Sequence, residues 1–180
     1  MLVFAYVIAP ILGKFTAELY NQHFAEQQNE QSAAEKPKSK YDDDPVSANR
    51  VFDLVNQERV NAGIHPLVMD ERLMSSAQDK ADDMKNRNYY GHEDPDGVRG
   101  YLLARRKVGS DCVTVSENIS AGDRTNNEAV RGWMKSEPHH QAILNPQYSL
   151  SGVGVASEQN DPSASHLDYH YYVQHFCSQR

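Results

Sequence analysis

Apolar side chains fall in three unlike stretches. Met1–Leu12 (MLVFAYVIAPIL) is uncharged and almost wholly apolar, and Lys14 closes the run. As a helix it spans roughly 18 Å, short of the ~30 Å hydrocarbon core of a bilayer. No Lys or Arg precedes it, and it lacks the clear small-residue cleavage site of a complete signal peptide. Four readings stay open for this segment, taken as residues 1–24. They are the end of a membrane helix, a weak anchor, a degenerate signal, and a helix buried against another element. Residues 25–46 are rich in Gln, Glu, Lys, Ser and Asp. Such a stretch cannot bury enough surface to offset its ordering entropy, so it reads as a polar tether.

From Ser47 onward the pattern becomes periodic. Ser47 is placed to cap a helix carrying Val51, Leu54, Val55 and Glu58, with Gly63 beyond its end. Asp70 is placed to cap a second, whose stripe is Leu73, Met74, Ala77, Ala81 and Met84. The stretch NYYGHEDPDG, Asn88–Gly97, is turn-rich, and a short helix follows over Tyr101–Lys107. Cys112–Ile119 alternates as a strand. Asn126–Ser136 is helical, with Ala129, Val130 and Trp133 on one face, and Pro138 ends or bends it. His140–Leu144 adds a further turn. Leu150–Ala156 and Tyr169–Phe176 read as strands, with a turn at Asp161–Ser165 between them. Helices lead and strands close the domain, which indicates α+β layers around a mostly antiparallel sheet. Residues 47–180 are enough for one core.

Composition sharpens this division. The 180 residues include 25 Asp and Glu against 18 Lys and Arg, for a net charge of −7. That balance argues against a nucleic-acid partner, whose phosphates call for clustered cations. With 39% apolar residues and a mean hydropathy of −0.72, the chain is not a polytopic membrane protein. No internal repeat is present.

The candidate chemistry is sparse. There is no phosphate-binding loop, dinucleotide fingerprint or serine nucleophile elbow. His166 and His170 are four apart but stand at a strand entry, so the helical geometry of a HExxH site is absent. Taken singly, His92 reads as a loop-bracing residue and Glu117 as a turn-capping carboxylate. His139 and His140 are adjacent and would point about 100° apart on a helix. Cys112 and Cys177 are either bridged, in an oxidising compartment, or two buried thiols. The apolar leader favours the bridge, which would contribute roughly 4 kcal/mol on a chain-entropy argument.

Several segments taken in order carry a resemblance. They are LVNQERVNAGIHPLVMDERL, AQDKADDM, YYGHEDPDG, SENIS, the run from Trp133 to Leu144, SGVGVA and YYVQHF. From Phe52 on, the chain resembles the CAP superfamily, the SCP-like extracellular domain, in its bacterial form. The resemblance implies a three-layer α–β–α sandwich with a cleft lined by two histidines and one or two acids. By motif these are His92, Glu117 and His139. Ser136 stands where many eukaryotic members carry a second glutamate, and His140 where bacterial members usually have arginine. The set would suit Zn²⁺ or another divalent cation. The same residues would be the catalytic ones if the protein is an enzyme, with metal-activated water or His92 as a base oriented by Glu117. The other reading is a buried hydrogen-bond network pinning the loops. Asn118 is expected to brace its loop and Trp133 to sit in the core.

Two functions follow as expectations, beside the plainer one of a stability or spacer domain fused to a membrane segment. The first is an extracytoplasmic module, secreted or membrane-anchored, that binds a ligand such as a lipid, peptide or cell-wall component. The second is a metal-dependent hydrolase of peptide or cell-wall material.

Overall fold

The computed structural model of the chain describes residues 45–158 and 169–179. The apolar segment 1–24, nearly all of the 25–46 tether, the Asp161–Ser165 turn and His166 lie outside the described residues. Helix α1 spans Ala48–Asn61 and follows Ser47, whose extended backbone marks the N-cap without a side-chain bond. Strand β1 is only Val68–Met69. Helix α2, Glu71–Asn86, starts where the Asp70 side chain accepts from the backbone N–H groups of Arg72 and Leu73. Helix α3 is Gly100–Val108, and a 3₁₀ turn at Gly109–Asp111 leads into strand β2, Thr114–Asp123. Helix α4, Asn126–Lys135, is capped by Thr125. Helix α5, Glu137–Ile143, precedes strands β3, Leu150–Glu158, and β4, Tyr169–Ser178.

The four strands form one sheet in the order β1-β3-β4-β2. β1 runs parallel to β3, and the other pairs are antiparallel. The expected α+β architecture with a mostly antiparallel sheet is therefore present. Alternation along the central strand β4 divides the core. Tyr172 and Phe176 face Val51, Phe52 and Val55 of α1, Ala129 and Trp133 of α4, and Ile143 of α5. Tyr171, Val173 and Cys177 belong to the opposite side, with Ala77, Ala81 and Met84 of α2 and Ala104 and Val108 of α3. Helices thus cover both faces.

Several boundaries differ from the sequence reading: β2 runs Thr114–Asp123 rather than Cys112–Ile119, and the helices around Ser136 divide differently. α4 ends at Lys135, because Ser136 is non-helical (φ −95°, ψ 115°). α5 begins at Glu137 rather than His140, since Pro138 falls in its first turn, where the missing N–H leaves no helical bond unmade. Strand β1 had no pattern to announce it, as two residues carry no period. Cys112 and Cys177 are bridged, as the apolar leader suggested, which ties the entry to β2 onto the central strand.

One charged residue locks the α1 side. Arg59 is fully buried and donates to the carbonyls of His65, Ile143, Asn145 and Tyr148. Burial lowers its pKa to about 10.

Gly152 and Gly154 explain the close seat of α2. A Cβ built on Gly152 would stand 2.0 Å from the Met74 backbone nitrogen, and one on Gly154 2.2 Å from that of Gln78. Since backbone cannot yield as a side-chain tip does, Gly152→Ala should cost about 2 kcal/mol or more. Gly132 is an exposed glycine within α4 with nothing within 4 Å of such a Cβ. Gly132→Ala should instead gain about 0.5–1 kcal/mol. Urea midpoints of the two variants should move in opposite directions. A Gly152→Ala midpoint equal to wild type would contradict the packing described.

Candidate functional site

Glu117 sits in mid-β2, directly opposite His175 of β4, which in turn pairs with Gly152 of β3. The carboxylate is almost sealed, its side chain 3% exposed. Both oxygens are in use. Oε1 is 2.8 Å from Nδ1 of His92, and Oε2 is 2.9 Å from Nε2 of His175. The N-terminus of α3 closes over it: a Cβ on Gly100 would fall 1.9 Å from Oε2. Gly100 is thus required by the carboxylate beneath it. Its backbone N–H donates to the carbonyl of His92 at 2.7 Å, which holds the histidine loop to the helix.

Helix α2 supplies the floor. Ser76 and Lys80 stand one turn apart on the face opposite the solvent, and both are buried. The Ser76 hydroxyl lies 2.8 Å from Nδ1 of His175 and 2.9 Å from the Leu73 carbonyl. Nζ of Lys80 donates to the Tyr89 hydroxyl at 3.0 Å and reaches the His92 carbonyl at 3.5 Å. Tyr89 in turn donates to Asp83 at 2.5 Å. Burial lowers the Lys80 pKa, partly opposed by the charges of Glu117, Asp83 and Asp94. Burial of Glu117 pushes its pKa up, yet the bonds from His175 and His92 outweigh that and leave it below the ordinary carboxylate value.

The solvent side is imidazole. His92 is about half exposed, its side chain at 55%. His139 lies in α5, and its carbonyl accepts from Nδ2 of the buried Asn118 at 3.2 Å. Burial lowers the His139 pKa, and the charge of His92 lowers it further, so the two rings are electrostatic neighbours. Ser136 is the N-cap position of α5 without a side-chain bond, and Glu137 is exposed and accepts from Gln141 at 2.7 Å. Neither supplies a second acid beside Glu117. Trp133 is buried and donates to the Ile119 carbonyl at 3.0 Å, bracing α4 on β2.

The expected residues therefore separate by role. His92 and Glu117 are directly bonded, with His139 nearby. With both oxygens accepting from imidazoles, Glu117 stands behind His92 in the manner of a carboxylate that orients a metal-binding histidine. Among the described residues no three His, Cys, Asp or Glu side chains form a group able to hold a metal ion. His175, Ser76 and Lys80 were not found from sequence. The only signal for His175 was a polar inward position in an aromatic and β-branched strand. For Lys80 it was a lysine beside the apolar stripe of α2.

The class this geometry defines is a helix–sheet–helix domain with an exposed His92 hydrogen-bonded to one buried acid. The chain belongs to the cysteine-rich secretory protein family, CAP, whose profile matches residues 52–176. It is 37% identical over 130 residues to the uncharacterized protein YkwD of Bacillus subtilis strain 168, covering 72% of this chain and 48% of that protein. It is 33% identical over 132 residues to the uncharacterized membrane protein YlbC of the same strain, covering 73% of this chain and 34% of that one. The chain thus spans about half or less of these curated relatives. Among solved structures, an extracellular SCP-domain protein of Bacillus anthracis matches with TM-score 0.60 and 26% identity, over 73% of this chain and 40% of that one. An outer surface protein of Borrelia burgdorferi shares the fold, with TM-score 0.59 and 17% identity, over 73% of this chain and 92% of that one.

A carboxyl whose folded pKa lies below its unfolded value adds stability above the unfolded pKa. That stability is lost as pH falls through the folded value. Wild type should therefore exceed Glu117→Gln by about 2 kcal/mol near neutral pH. The gap should shrink below about pH 4. Urea titrations across pH check this; a gap independent of pH would show that the charge of Glu117 contributes nothing.

Proposed function

We propose that the chain is an extracytoplasmic CAP module that binds a ligand or partner through the His92 and His139 face, without catalysing its turnover. The carrying observation is that both oxygens of Glu117 are committed to imidazoles. With its side chain 3% exposed, Glu117 is out of reach of a substrate's proton and orients His92 rather than acting as a general base itself. Ser136 carries no carboxyl and Glu137 is bonded to Gln141, so neither of these positions adds a second acid. The groups offered to solvent are imidazole nitrogens, which suit a ligand with a hydrogen-bond donor. A divalent ion such as Zn²⁺ would be held here by His92 and His139, with Glu117 setting the orientation of His92. Placement outside the cytoplasm is supported by the buried disulfide, which persists under oxidising conditions. The extracellular and outer-surface descriptions of its structural neighbours agree.

Two measurements on the full chain test this. Calorimetry with Zn²⁺ should register binding by wild type that is lost in the His92→Ala/His139→Ala variant. Binding that persists in the variant would move the site elsewhere. Turnover of casein and of purified peptidoglycan, with Zn²⁺ present, should not exceed that of the same variant. A wild-type rate tenfold above it would favour the hydrolase.

A further inference from the structure

We propose that Arg87 is a positioning residue of this site: its guanidinium clasps the loop that carries His92 to the end of α2, through Asp94 and Asp96. The inference rests on the reading of His92 as a ligand-facing group.

The loop is a closed unit. The His92 carbonyl accepts from the N–H of Gly100 at 2.7 Å, and Glu93 pairs with Arg99 as a β-bridge. Inside that ring, one oxygen of Asp94 accepts from the backbone N–H groups of Asp96 and Val98, at 2.9 and 2.8 Å. Side-chain bonds of this kind fix the shape of a turn. They do not fix where the turn sits. The ring moves as one piece, and His92 moves with it. Its bond to Glu117 is a single contact made by a half-exposed side chain, so the loop needs a second anchor.

Arg87 supplies that anchor. It stands at the C-cap of α2. Nη2 donates to Asp96 at 2.8 Å, and Nη1 lies 3.6 Å from the second oxygen of Asp94. Nη1 is also 3.6 Å from Asp83 of α2. Asp83 accepts from the Tyr89 hydroxyl, which accepts from Lys80. One guanidinium is thus tied to the chain on both sides of His92: to Asp94 and Asp96 beyond it, and through Asp83 to Tyr89 before it. Exposed ion pairs are weak singly and count when several charges form a network. A planar fork reaches several carboxylates at once, which a lysine does not. The Arg87 side chain is 34% exposed, so dissolved salt reaches the network.

That last point separates a clasp from packing, because ion pairs at a surface are screened and apolar contacts are not. The first measurement is amide exchange in the ligand-free full chain. The Gly100 amide, which holds the His92 carbonyl, should exchange about fivefold faster in Arg87→Met than in wild type at low salt. Val173 in the sheet should be unaffected. In about 1 M salt, where the screening length is about 3 Å, the ratio should fall toward one. Asp96→Asn should show part of the same change, and adding it to Arg87→Met should change nothing further. The second measurement is Zn²⁺ calorimetry, in which the ratio of Arg87→Met to wild-type Kd should follow the same rise and the same loss with salt. Equal Gly100 exchange at low salt would overturn the proposal. So would a ratio that salt leaves alone, an additive double variant, or a Zn²⁺ affinity untouched by the loosened loop. If wild type binds no Zn²⁺, it is the reading of His92 as ligand-facing that fails, and the exchange rates alone decide whether Arg87 holds the loop.

Discussion

A carboxylate with 3% of its side chain exposed is the constraint around which this domain is arranged. An isolated buried charge is costly unless donors surround it. Here two donors come from separate pieces of chain, His92 on the turn-rich loop and His175 on the central strand. Gly100 at the start of α3 leaves room for the carboxylate, and Lys80 of α2 adds a nearby charge. Removing any one would leave Glu117 under-matched or displaced. The requirement reaches beyond the polar atoms. α2 can bring Ser76 beneath His175 only because Gly152 leaves room for its backbone.

Much of this was legible as pattern. The Asp70 cap placed the start of α2 and the stripe from Leu73 to Met84 its buried face, because capping and periodicity are local properties. Local composition placed β3 and β4, the latter by its aromatic and β-branched side chains. Glu117, His92 and His139 were reached through ordered motifs, and their proximity followed from the fold. The roles were harder to read. That Glu117 accepts on both oxygens depends on the register between β2 and β4, which sets Glu117 opposite His175. Register is a tertiary property, so a histidine inside YYVQHF carried no local mark of its partner. Lys80 was hidden for a related reason. A helical lysine is ordinarily solvated, and this one is buried because Tyr89 and the His92 carbonyl cover it.

Arg59 offers an instructive comparison. It too is a buried ion, and its guanidinium is matched by four backbone carbonyls from the ends of α1, α5 and the loops beside them. Every bond it makes points inward to the main chain. Such a residue fastens elements together, and the low-dielectric surroundings that lower its pKa add no access for a ligand. The disulfide acts in the same spirit on the other side of the sheet, joining Cys112 to the strand that carries His175.

The Glu117 cluster differs in having an open end. Its hydrogen-bonded chain begins inside α2 at the Leu73 carbonyl and runs through Ser76, His175 and Glu117. It ends at His92, which is half exposed. A network that served stability alone would gain by closing that end, since a buried bond is stronger than one water competes for. Ending in an imidazole at the surface forgoes some of that stability. In return it leaves a ring held from within by a buried carboxylate, beside a second histidine of lowered pKa. The asymmetry between sealed floor and open tip is what distinguishes this cluster from a brace such as Arg59, and it is why the proposed function is placed here.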